Sequence, residues 1–131
     1  MKFITVLFFM LCAFKAYAHH PAHKIEASEP YPIIELQVNK DSMDGYNIYV
    51  DLKNFKLTPE LAGQDNVSNQ GHMHLYVNDI KISRMYSPWF HIPGRYFNKS
   101  QNVIKVTLNA NSHDSFTVNE EAIAATIQIV K

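Results

Sequence analysis

The stretch Gly71-His72-Met73-His74-Leu75-Tyr76-Val77-Asn78-Asp79-Ile80-Lys81-Ile82-Ser83-Arg84-Met85-Tyr86 reads as a β-hairpin. His72 to Val77 and Ile80 to Tyr86 are two extended runs, and Asn78-Asp79 between them are residue types that tolerate the positive φ of a two-residue turn. The hairpin sets the period for the rest of the chain.

Upstream, Ile33 to Val38 reads as a strand, followed by turn residues from Asp41 to Gly45. The run Tyr46 to Leu57 has apolar positions at Ile48, Val50, Leu52 and Phe55 and a disturbance near Asn54, which fits two strands and a turn. Thr58 to Gln70 is a polar connection, with one helical turn expected over Pro59 to Ala62. Downstream, Ser87-Pro88 ends the hairpin and Trp89 to Gly94 reads as a bulky apolar loop. Val103 to Asn109 alternates well, with Ile104, Val106 and Leu108 on one face and Val103, Lys105, Thr107 and Asn109 on the other. A polar turn from Asn109 to Asp114, a short extended piece over Phe116 to Val118 and a last strand over Ile123 to Val130 complete the pattern. No helical period occurs after the amino-terminal leader. The expected fold is an all-β sandwich of about seven strands, immunoglobulin-like or cupredoxin-like.

The leader itself has Lys2, an uncharged apolar run from Phe3 to Phe14, and Ala16-Tyr17-Ala18, which are the three parts of a cleavable signal peptide. The run is interrupted at Lys15, short of the ~20 apolar residues that a membrane-spanning helix requires. Residues 1–18 are therefore expected to be removed, residues 19–32 to form an extended or mobile amino-terminal arm, and residues 33–131 to form the sandwich. The expected location is the periplasm or the extracellular space. Cys12 is the single cysteine and goes with the leader, so the mature chain offers no disulfide, thiolate ligand or lipid attachment, and no membrane anchor remains after cleavage. The chain carries 12 basic and 12 acidic residues, a balance that argues against an electrostatic nucleic-acid binder. Asn66 and Asn98 head Asn-x-Ser sequons, which matter only where a secretory pathway glycosylates.

Seven histidines are the unusual feature of the composition. In a strand, residues i and i+2 project from one face, so His72 and His74 present two imidazoles side by side while Met73 points the other way. Neutral imidazole suits copper, zinc and nickel. His91 and His113 lie at strand ends, where sandwich loops gather, and are the candidate third and fourth ligands. Taken alone, His91 reads as a packed or hydrogen-bonded loop histidine and His113 as a turn residue beside Asp114. Met73 and Met85 are secondary thioether candidates. So is His19, which cleavage after Ala18 would expose as an amino-terminal histidine able to chelate through amine and imidazole. No nucleophile elbow, phosphate-binding glycine loop or His-Glu-x-x-His helix occurs, and Ser112-His113-Asp114 are consecutive residues that cannot adopt triad geometry. An enzyme is not the expectation; its one remaining form is a copper oxidase or oxygenase built on His19.

Three ordered segments, Gly71 to Asn78, Arg84 to Pro93 and Val106 to His113, together resemble a group of small exported bacterial β-sandwich proteins associated with copper or other metal handling in the cell envelope. The resemblance covers roughly residues 45–130. It implies that His72, His74, His91 and His113 belong to one shared pattern. Asp79 and Ser87 stand where that pattern has glycine, a departure that touches turns and not ligands. The resulting expectation is a protein that binds copper, or alternatively zinc, and buffers, carries or delivers it. The rival expectation is an immunoglobulin-like module that binds an envelope protein or a glycan through the aromatic segment Tyr86 to Tyr96.

Overall fold

The structure is a computed structural model that describes residues 23–130; the expected signal peptide, its expected cleavage point and His19 lie outside the described residues. Among the described residues eleven strands, four of them short additions of two to four residues to the larger sheet, form the two sheets of an all-β sandwich, where about seven strands were expected. The long strands of the larger sheet are β5 (Gln70–Val77), β6 (Ile80–Met85), β8 (Gln101–Ala110) and β11 (Ala124–Val130), antiparallel in the order β6-β5-β8-β11. Short strands extend it: β1 (Lys24–Glu26), β4 (Lys56–Leu57), β9 (Ser115–Val118) and β10 (Glu121–Ala122). The smaller sheet has the order β2-β3-β7, from β2 (Ile33–Lys40), β3 (Tyr46–Lys53) and β7 (Trp89–Ile92).

Alternation along the strands decides what each sheet buries. Met73, Leu75 and Val77 of β5 and Ile104, Val106 and Leu108 of β8 face inward with Met85, and meet Ile48 and Val50 of β3 and Ile92 of β7. The core is thus one apolar layer between two sheets, and its burial is the main stabilising force in a chain without cross-links.

The hairpin forms as its turn residues dictate, with Asn78 and Asp79 at φ 53 and 64. A feature not visible in the hydrophobic pattern is a β-bulge: Leu75 pairs with Ser83 but Tyr76 pairs with Lys81, leaving Ile82 as the extra residue. Parity therefore flips at Ile82, and Lys81 joins Arg84 on the outward face.

Trp89 to Ile92 is a strand rather than the expected loop, paired with Tyr46 to Tyr49. Phe90 and Ile92 turn inward while Trp89 and His91 turn outward. Pro88 and Pro93 at its ends mask this period of two in the sequence, yet both lie outside the paired residues. The described part of the expected amino-terminal arm is extended and is tied down: Lys24 to Glu26 pair in parallel with Ser115 to Thr117, and Ala27 is buried.

Candidate metal centre

The outward face of β5 carries His72, His74 and Tyr76, opposite Asn109, Thr107 and Lys105 of β8. Polar side chains on the outside of a sheet are ordinarily wet. Here His72 and His74 are buried, at 1% and 4% exposure, because the turn that follows β8 folds back over them. That turn brings His113, whose φ of 74 lies in the left-handed region, where histidine is tolerated better than most residues.

The turn is anchored from several sides. Asn109 Nδ2 donates to the His113 carbonyl oxygen at 3.2 Å, and Thr107 Oγ1 donates to Asn109 Oδ1 at 2.7 Å. The Asn66 side chain donates through Nδ2 to Ser112 Oγ and accepts through Oδ1 from the Ser112 amide, both at 2.9 Å. Asn111 Nδ2 donates to the Asp65 carbonyl at 2.9 Å. Gly71 lets the strands close beneath the site, since a Cβ there would collide with the Asn109 carbonyl oxygen.

The result is a convergence of three imidazoles. His72 Nε2 lies 2.9 Å from His74 Nε2 and 2.9 Å from His113 Nδ1, and the donor atoms of all three fall within 4.8 Å of one another. Lys81 Nζ lies 3.2 Å from the same His74 Nε2. An imidazole nitrogen has either one proton or one lone pair, hence one directional partner. Three contacts run in a chain from Lys81 through His74 and His72 to His113. The tautomer decides which nitrogen of each contact carries a proton; with Nε2 of His72, Nε2 of His74 and Nδ1 of His113 all unprotonated, the three lone pairs face one another as a ligand set for a cation. Nδ1 of His72 is buried with no hydrogen-bond partner, so all of that ring's polar contacts are made through Nε2.

Electrostatics keep the three rings in the ligating, neutral form. Burial pushes the pKa of His72 down to about 4, helped by the charges of His113, Arg84 and Lys81. Burial pushes His74 down to about 3, with Lys81 the next cause. His113 is lowered by burial and by Arg84 and Lys81, against an opposing pull from Asp114. Two nitrogens bound to one ion at about 2.0–2.1 Å stand about 2.9 Å apart at a right angle and about 3.3–3.4 Å apart at the tetrahedral angle. Three neutral nitrogen donors suit zinc, copper or nickel, and no carboxylate belongs to the group.

Three of the four downstream histidines thus meet, and the fourth does not. His91 sits on the outward face of the smaller sheet, where its Nδ1 lies 2.8 Å from Asn47 Oδ1; it is a hydrogen-bonded surface histidine. Met73 and Met85 are opposite each other in register and are core residues on the far side of the sheet from the imidazoles. His19 lies outside the described residues. Lys81, Arg84, Tyr86, Thr107 and Asn109 surround the trio and were not singled out by spacing. Thr107 and Asn109 were legible as sharing one face of a strand, but not as lying opposite His74 and His72; Lys81 was hidden by the bulge.

No protein-family model matches the chain, and comparison with curated proteins and with solved structures finds no similar protein. The functional argument therefore rests on the site itself. Among the described residues no helix is long and apolar enough to cross a membrane.

Proposed function

We propose that the protein is exported, after loss of residues 1–18, as a metal-binding protein of the bacterial envelope that buffers, carries or delivers copper. The observation that carries this reading is the convergence of His72, His74 and His113 on one point. Copper is favoured over zinc because it stands above zinc in the order of intrinsic affinities at nitrogen donors. The resemblance of the three motif segments to envelope metal-handling proteins points the same way, and a mature chain that has lost Cys12 has no thiolate ligand to offer.

Titration of the 19–131 chain with Cu(II) and Zn(II) by calorimetry tests this. His19, His20 and His23 are first replaced by alanine so that the amino terminus does not contribute. Uptake of a single ion per chain, lost in the His72→Ala, His74→Ala double variant and retained in His91→Ala, is the expected result. Retention of affinity by the double variant overturns the assignment.

A second reading, an envelope interaction module for a protein or glycan, is favoured by one observation. Trp89 is 59% exposed and packs against Tyr49 across the β3–β7 pair, with ring centroids 4.8 Å apart and the planes tilted by 48°. Trp89 belongs to the Tyr86 to Tyr96 segment, which contains the strand Trp89–Ile92. Partner capture from envelope extract that ignores chelator and is abolished by Trp89→Ala would support this reading.

A further inference from the structure

The three ligands are neutral, the ion they hold is a cation, and the nearest charged groups on their face are also cationic. Lys81 Nζ stands 3.2 Å from His74 Nε2, and Arg84 lies directly opposite His74 in the β5–β6 register. Arg84 reaches across to Tyr86, with Nη1 3.4 Å from the phenol oxygen, and the Tyr86 ring lies 5.8 Å from that of His72. Among the described residues neither Lys81 nor Arg84 is paired with a carboxylate; the ion pair that the structure shows is between Lys105 and Asp79. Asp114 is the acidic group whose charge reaches the trio, and it does so at His113.

A divalent ion placed among these groups raises a difficulty that three imidazoles do not solve. Its charge, the ammonium and the guanidinium repel one another in a partly desolvated pocket, where Coulomb energies are several times those in water. Three protein ligands also leave a coordination position open. Both demands are met by the same object, an anion that binds the ion with one atom and accepts hydrogen bonds from Lys81 and Arg84 with another. The bulge at Ile82 is what makes this possible, because it places Lys81 on the face that Arg84 already occupies.

We propose that the metal centre is a ternary site, in which the open position of the ion takes a small oxyanion, a carboxylate or a phosphate group, held from the rim by Lys81 and Arg84. This rests on the metal-binding reading above. In the metal-free protein the Lys81 ammonium caps the lone pair of His74. Metal entry takes that lone pair and frees the ammonium to meet the anion. Access is from the side of Tyr86 and His113, which are 40% exposed and half-buried respectively.

The experiment runs in two steps on the 19–131 chain lacking the leader histidines. First, Cu(II) is loaded and its stoichiometry measured. Then azide is added as a spectroscopic probe of the open position, and acetate and inorganic phosphate are tested as competitors. Azide is expected to give a charge-transfer band that acetate or phosphate suppresses, and the stronger competitor identifies a carboxylate or a phosphate as the preferred class. The Lys81→Met, Arg84→Met double variant is expected to load copper at least as well and to bind the competing oxyanion about tenfold or more weakly, the scale of one lost charge-assisted hydrogen bond. Arg84→Gln alone serves if the double variant does not fold. Failure to load copper overturns the metal reading and this one together. Normal loading followed by no response to any anion, or by equal oxyanion affinity in wild type and variant, overturns the ternary site alone.

Discussion

Asn109 sits directly opposite His72 in the β5–β8 pair and donates its amide to the carbonyl oxygen of His113, so one side chain ties the strand of the first candidate ligand to the turn of the third. Its Oδ1 is already used by Thr107, which makes Asn109 a buried and doubly engaged group. Asn109→Ala removes both bonds and leaves the Thr107 hydroxyl without its acceptor. We expect a loss of about 1–3 kcal/mol in urea unfolding, the cost of a buried polar group left unmatched. We also expect weaker metal binding with all three imidazoles present. Equal metal affinity in Asn109→Ala and wild type would show that the turn holds His113 without help from Asn109.

His113 separates stability from ligation. Its left-handed backbone is a conformation that glycine adopts at no steric cost and that other residues hold at about 1 kcal/mol or more. His113→Gly is therefore expected to unfold at the same or higher denaturant concentration than wild type in the absence of metal, while losing metal affinity. His113→Ala is expected to lose both. Thermal melts with and without metal read the two effects separately.

The hairpin and the two strands at the heart of the core were legible because a period of two, broken by residues suited to positive φ, admits little else. The pairing of His72 with His74 was legible for the same reason, since two residues along a strand always share a face. What was hidden depends on contacts distant in sequence. His91 lies five residues after Tyr86, yet β7 has crossed to the smaller sheet and turns His91 toward Asn47. Lys81 is three residues from Arg84 and by simple alternation faces the other way; a single extra residue reverses that. His113 was legible as a turn residue, but its direction depends on a backbone angle and on anchors at Asn66 and Asp65, more than 45 residues away.

The methionines give a negative test of where the ligands are. Met73 and Met85 are buried in the core, opposite each other, with the sheet between them and the imidazoles. Met73→Leu and Met85→Leu preserve volume and are expected to cost less than about 1.5 kcal/mol. Affinity for Cu(I) and Cu(II) should not change in either. A drop in Cu(I) affinity in one of them would bring a thioether back into the site.

The pH dependence of folding reports on the same three rings, and its sign follows from their burial. In the unfolded chain each histidine titrates near 6.5, whereas burial holds His72 at about 4 and His74 at about 3 in the folded protein. Above the unfolded value both states carry neutral rings and folding feels no penalty. As pH falls below 6.5 the unfolded chain takes up protons that the folded chain refuses, so stability falls until the folded rings also protonate near 4 and below. Glu26, held down by Thr117, Asp41, held down by the Met43 amide, and Asp79, held down by Lys105, lose their contributions at the acid end of that range, where carboxylates titrate. Urea unfolding between pH 7.5 and 5.5 therefore isolates the histidines, and the expected loss for the metal-free protein is on the order of a few kcal/mol. A variant with His72 and His74 replaced by asparagine should show a much flatter profile over this interval. If its profile is as steep as that of the wild type, the two rings are not held neutral by the fold.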